Sequence, residues 1–168
     1  AGRNRASRRK DRPDHLQHLP PETSRRVLPL AEERNVGVLA RVLLASGLLS
    51  GKMTAERVFS DDDHRSFNRE GEAFDQGEIF SGVPFETGLA AAEELKDLPP
   101  EGYTLAQFAL RWILMHPGVT CAIPGAKSPS QAEDNAAAVL MPTLPDETMQ
   151  RVSEVYDRYI RESVHVRW

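Results

Sequence analysis

A single cysteine, Cys121, rules out any internal disulfide, and its place in an apolar stretch favours a packed thiol over a nucleophile. No apolar run approaches the roughly 20 residues that cross a bilayer. The chain does not open with a charged-then-apolar leader either. A soluble, intracellular, cytoplasmic protein without a membrane partner is therefore expected. Basic residues are scarce after position 26, because residues 1–26 take eight of the 21 Lys and Arg but only three of the 25 Asp and Glu. The opening AGRNRASRRK has no aromatic residue and no attached nucleic-acid motif. It is expected to be a disordered, solvated tail, with no nucleic-acid partner.

The remainder has the texture of one packed domain, at 40% hydrophobic and 27% charged residues over a chain of 168. Val27 to Asn35 is expected to end an amphipathic helix, with Val27, Leu28, Leu30 and Ala31 inward and Asn35 as C-terminal cap. Val36 to Ala40 is a continuous apolar run of strand length, as suits a parallel strand covered on both faces. Residues 41–52 form a loop whose glycines let backbone approach a ligand or simply permit a turn.

Residues 59–82 are too polar and too rich in Gly and Asp for regular structure. The run Asp61, Asp62, Asp63, His64 does not predict a metal, since adjacent carboxylates diverge and no second ligand cluster closes a shell. Phe67, Phe74, Phe80 and Phe85 are expected to pin this segment onto an apolar surface as a pocket lid. A helix over 86–98 ends at PPEG. The next helix starts at the capping box Thr104/Gln107 and buries Leu105, Phe108, Ala109, Trp112 and Ile113. A last helix over Asp146–Ile160 turns Val152, Val155, Tyr156 and Tyr159 inward, ahead of the tail ESVHVRW.

Val119 to Val139 carries the densest chemistry. Val119–Ile123, between Pro117-Gly118 and Pro124-Gly125, predicts a short buried strand. Ser128 is the expected N-cap of a helix over 129–139, with Pro129 at its first position and Gln131 completing a capping box. The positive end of that helix favours a phosphate, and Lys127 stands just before the cap. Gln131, Asp134 and Asn135 share one face beside it. The pattern suits a nucleotide-phosphate pocket, but spacing alone favours an ordinary capped surface helix, since capping boxes are common and a single lysine is a weak signal.

The stretches VGVLARVLLASGLLSGK, FSGVPFE, TLAQFALRWIL, VTCAIPGAKSPSQAEDN and VHVRW together resemble the C-terminal half of an aldo-keto reductase, of the bacterial and potassium-channel-β-like branch. That family folds as a (β/α)8 barrel and passes a hydride between NADPH and a carbonyl or alcohol. The resemblance implies an α/β fold class: a C-terminal fragment of a (β/α)8 TIM barrel spanning residues 27–168, with about two parallel strands and surrounding helices. Residues 36–40 would be the seventh strand and 119–123 the eighth. It further implies that NADP(H) is the cofactor and a small carbonyl compound the substrate. Gly125, Ala126, Lys127, Gln131, Asp134 and Asn135 would hold the adenosine 2′-phosphate and adenine, and Leu44, Gly47, Leu48 and Lys52 would line the pyrophosphate.

Two departures accompany the resemblance. Leu43 stands where the family has proline. No stretch matches the strands that carry the family's catalytic Asp, Tyr, Lys and His, so a fragment without its own general acid is expected. The alternative is a non-catalytic NADP-binding module similar to channel β subunits. Back-translating Arg12 to Arg26 with a one-base shift allows VQIIYNIFRQKPAER, which resembles the family's sixth strand, so a frame-shifted segment is an expectation for residues 1–26. Two strands leave edges and apolar faces uncovered, and the isolated chain is expected to fold poorly or associate.

Overall fold

Helix α1 (Pro21–Glu33) opens the computed structural model, which describes residues 21–68, 73 and 79–164. The expectations for residues 1–20, for Phe74 and for the tail beyond Val164 lie outside the described residues. Because α1 starts at Pro21, it crosses the change of texture at Val27. Its inward stripe is narrower than expected: Leu28 and Ala31 are buried, whereas Val27 and Leu30 are about half exposed. The helix ends as Asn35 predicts. Asn35 takes a φ of +52°, its N–H donates to Glu32 O, and the Val36 N–H donates to Ala31 O at 2.8 Å. That pair of bonds satisfies the last carbonyls with one left-handed residue.

Strands β1 (Leu39–Ala40) and β2 (Cys121–Ala122) pair in parallel, Leu39 opposite Cys121 and Ala40 opposite Ala122. The pairing continues one step through the Ile123 N–H to Ala40 O at 3.0 Å. Both strands are shorter than their apolar runs. They are also not buried on both faces: Ala40 is fully buried, but Val36, Leu39 and Ile123 are more than half exposed. Helices cover one face of the pair, and among the described residues nothing covers the other. Cys121 lies on that open face with Leu39, so its thiol is exposed rather than packed.

The helical layer is built from α2 (His64–Phe67), α3 (Phe85–Leu95), α4 (Leu105–Leu114), α5 (Pro129–Ala137), α6 (Asp146–Val155) and α7 (Arg161–Val164). Thr104 and Gln107 form both halves of the capping box that starts α4. Leu105, Phe108, Ala109 and Ile113 are buried on its inner face, with Trp112 half-buried beside them. One apolar cluster joins α4 to Leu49, Met141 and Leu144. A second joins Val83 and Ala91 to Val155, Tyr156, Ile160 and Val164. The last long helix is not uniform, for α6 passes into a π-helical turn (Tyr156–Ile160) before α7.

The aromatic anchors of segment 59–82 differ from the expected set. Phe80 and Phe85 are buried with ring centroids 5.0 Å apart, and Phe59 packs 6.2 Å from each, whereas Phe67 is 46% exposed. Phe67 sits on the short α2, at whose start Asp63 caps the helix and pairs with Arg65.

Candidate nucleotide site

Two loops leave the same end of the strand pair. The turn after β1 runs through residues 41–52 and the loop after β2 through 123–128. Parallel pairing in register makes this unavoidable: with Ala40 opposite Ala122, the two segments that leave the strands emerge side by side. The C-terminal end of parallel strands is where α/β folds gather ligands.

The second loop is held by its own helix. Ser128 caps α5 by accepting the Gln131 N–H at 3.2 Å, with Pro129 at the first helical position as expected. The reciprocal half of the capping box does not form. The Gln131 side-chain oxygen reaches one residue further back and accepts the Lys127 N–H at 2.7 Å. Asn135 Nδ2 donates to Gly125 O at 3.2 Å, so two side chains of one helical face fix two backbone groups of the loop. Gln131 and Asn135 thus shape the loop. The Lys127 side chain is exposed beside the helix start, where the dipole also favours an anion. Asp134 is exposed at its side chain, and its backbone oxygen accepts from Gln107 Nε2 at 3.1 Å, fastening α5 to α4. Gln107 is a buried polar residue whose tethering role carries no local sequence signal.

Space at Gly125 is open: a methyl group there meets nothing within 4 Å, and Ala126 beside it is exposed. A cleft of about 390 Å³ adjoins the loop, bordered by Pro124, Ala126 and Asn135 together with Leu110, Leu114 and Val139. The residues present therefore fit an anionic group at the α5 start with an apolar or aromatic portion alongside.

The first loop is a tight turn with several left-handed residues. Val42, Ala45, Ser46 and Gly47 have φ of +55°, +45°, +54° and +100°. A β-branched residue at positive φ is strained, and such strain persists only when surroundings impose it. Leu43, buried to 1% exposure, supplies that constraint. Proline at 43 would push residue 42 toward extended backbone. Gly47 is half-buried, with the ends of the Met53 and Arg65 side chains beside it, and Lys52 is exposed. Leu44 is half-buried against two apolar clusters. Leu48 is buried among Ala45, Ile79, Phe80 and Phe85, so its side chain belongs to the core and only its backbone faces the loop.

Arg65 secures this turn. It pairs with Asp63 through bonds of 2.6 and 2.9 Å, donates to Ser46 O at 3.2 Å and stacks 4.5 Å over the Phe59 ring. The guanidinium holds the Asp63 carboxyl well below the usual carboxylate range, against the opposing effect of burial. Among the described residues no group of His, Cys, Asp and Glu is arranged to hold a metal, and no helix is long and apolar enough to cross a membrane.

The model of the Aldo/keto reductase family matches residues 16–157. Aldo-keto reductase YhdN of Bacillus subtilis is 30% identical over 145 residues, covering 85% of this chain and 41% of that protein. A probable voltage-gated potassium channel subunit beta of Arabidopsis thaliana is 29% identical over 130 residues, covering 76% of this chain and 38% of that protein. A glycerol dehydrogenase from Gluconobacter oxydans superposes with a TM-score of 0.66 at 31% identity, over 84% of this chain and 40% of its own. An aldo-keto reductase from Bacillus halodurans, in its holo form, shares the fold with a TM-score of 0.54 at 24% identity, over 83% and 39%. The chain spans about two fifths of the length of these relatives. Its two parallel strands and flanking helices are a portion of their TIM-barrel fold, as the resemblance implied. Matched over most of its residues, the chain belongs to the aldo/keto reductase family.

Proposed function

We propose that residues 27–168 form the cofactor-side portion of a cytoplasmic, NADP-dependent aldo-keto reductase, acting on a small carbonyl or alcohol. The observation that carries this reading is the emergence of both loops from one end of the parallel pair, with Lys127 and the α5 start on one and the Gly47 turn on the other. Lys127 and the helix dipole would bind the 2′-phosphate. Asn135 and Gln131 would hold the loop in shape for it, and Asp134 would face the adenosine. Gly125 and Ala126 leave room for close approach, while the backbone around Leu44, Gly47 and Leu48, together with Lys52, would line the pyrophosphate. Bound NADPH would supply the hydride.

A second reading draws on the unmatched Asp, Tyr, Lys and His of the family: a module that binds NADP without turning it over, similar in role to a channel β subunit. Fluorescence titration tests both. NADPH is expected to bind at least about tenfold more tightly than NADH, a preference worth about 1.4 kcal/mol, and Lys127→Glu should abolish it. Equal affinity for the two nucleotides overturns the 2′-phosphate assignment. NADPH oxidation with a carbonyl substrate by this chain would overturn the non-catalytic reading, and its absence with intact binding would support it.

A further inference from the structure

Strand β2 pairs with β1 along one edge only. Its Cys121 and Ile123 N–H groups donate to Val38 O and Ala40 O at 3.2 and 3.0 Å. Backbone groups alternate in direction along a strand, so the N–H and C=O of Ala122 turn to the edge away from β1. Among the described residues the sheet has two strands, and no third pairs with that edge. The Ala122 oxygen meets the Cys121 thiol, a weak donor, at 3.5 Å. Proteins blunt an open edge with charge, proline or a bulge. Residues 119–123 carry no charged side chain and no proline, and the pairing with β1 is in regular register. This edge has the chemistry of one that is paired.

Room for a further strand lies beside it. The cleft that adjoins the 123–128 loop runs on between two helices, lined by Leu110 and Leu114 one turn apart on α4 and by Ala132 and Ala136 one turn apart on α5. Cys121 and Ala122 border the same cleft, so the open edge and the apolar groove are continuous. The face that carries Leu39 and Cys121 is uncovered as well, although both strands come from continuous apolar runs of the kind that parallel strands show when both faces are covered. The fold shared with the relatives says what the cover is: a (β/α)8 barrel has eight parallel strands, and this chain superposes on 40% of the Gluconobacter enzyme. We infer that the β2 edge and the groove dock a parallel, apolar strand of a polypeptide that carries the portion of the barrel this chain does not match. Ala122 supplies the backbone bonds, and the side chains on one face of the incoming strand fill the groove between α4 and α5. A second copy of this chain is a poorer occupant, because its own pair of strands does not make up the eight that close a barrel. The inference rests on the shared fold and not on the nucleotide reading, so NADPH binding by the chain alone bears on that reading and not on this one.

The full chain and the portion of Bacillus subtilis YhdN outside its matched region are mixed in urea and dialysed together, so that neither has to fold first. Light scattering is expected to give a complex with one copy of each. Within it, hydrogen exchange of the Ala122 amide and alkylation of Cys121 by iodoacetamide should each slow at least about tenfold relative to the chain alone. Val139 lines the groove and is 60% exposed, so Val139→Glu should leave helix content unchanged and weaken the complex at least about tenfold by placing a charge where the strand docks. Absence of a complex overturns the inference, as does a complex in which Ala122 and Cys121 react as they do in the chain alone. A complex that Val139→Glu leaves intact overturns it, and so does an assembly of this chain with itself that excludes the YhdN portion.

Discussion

Gln107 Nε2 donates to the backbone oxygen of Asp134 across 3.1 Å, while Gln107 Oε1 accepts the Thr104 N–H at 3.0 Å. One buried amide therefore caps α4 and positions α5, the helix whose start carries the proposed phosphate site. Gln107→Leu removes both functions and Thr104→Ala only the cap. Thr104→Ala should cost about 1 kcal/mol of stability and leave NADPH affinity unchanged. Gln107→Leu should cost about 1–3 kcal/mol, since it leaves backbone groups unpaired, and weaken NADPH several-fold. Urea melts and nucleotide titration read the two effects, and equal affinities in both variants would remove the tether from the account.

Gly118 and Gly125 separate packing from binding. A methyl group at Gly118 would lie 2.5 Å from Leu28 Cβ and 2.9 Å from Leu28 backbone atoms, a clash that α1 cannot relieve by turning a side chain. Gly118→Ala should cost about 1–3 kcal/mol by overpacking. Gly125→Ala, into open space, should leave the urea midpoint alone and reduce NADPH binding. A stable Gly118→Ala variant would show that α1 docks elsewhere.

Stability should fall with acid through His116. The ring lies edge-on to Trp112 with centroids 4.6 Å apart, its Nε2 is buried without a hydrogen-bond partner among the described residues, and burial pushes its pKa below the ordinary value of 6.5. The unfolded chain therefore takes up a proton before the folded one. The penalty is absent well above pH 6.5 and grows as pH falls through it, by no more than about 1.4 kcal/mol per pH unit. His116→Leu should flatten urea midpoints between pH 8 and pH 5. Asp63 contributes in the other window, since its lowered pKa gives stability that is lost only below the ordinary carboxylate range, near pH 4.

Arg65 joins segment 59–68 to the turn at Ser46 through one carbonyl bond and stacks on Phe59 within the segment. Arg65→Lys keeps the charge but loses the planar fork and the stacking. Limited proteolysis should then cut the segment after Phe59 faster than in the parent chain. Unchanged cleavage would mean that Phe59 and Phe80 hold the segment without Arg65.

The open sheet face should govern association. Leu39 is 60% exposed, next to the exposed Cys121. Leu39→Lys should shift elution toward the monomer at constant helix content, because a charge on an uncovered face blocks sheet-to-sheet contact. Elution that does not change with this substitution would place the association surface elsewhere.

Signals acting within one turn of chain were legible in the sequence. Ser128, Thr104 and Asn35 each sit at a helix boundary and each performs the expected capping, since a cap depends on backbone three or four residues away. The capping partner of Gln131 slipped by one residue, to Lys127, because the side chain can reach either N–H and the loop's path decides which. Apolar character misled at Cys121 and Leu39, where the side chain asks for cover that the described residues do not provide.

The order of helices, the two strand positions and the family followed from the sequence, because they rest on local periodicity, caps and motif strings that any neighbourhood preserves. Tertiary structure decided which groups meet. It set Gln107 against Asp134, Arg65 against Ser46, and the Leu48 side chain into the core. Those contacts join residues distant in the chain, and their energies depend on burial and distance, which come into being only when the chain packs.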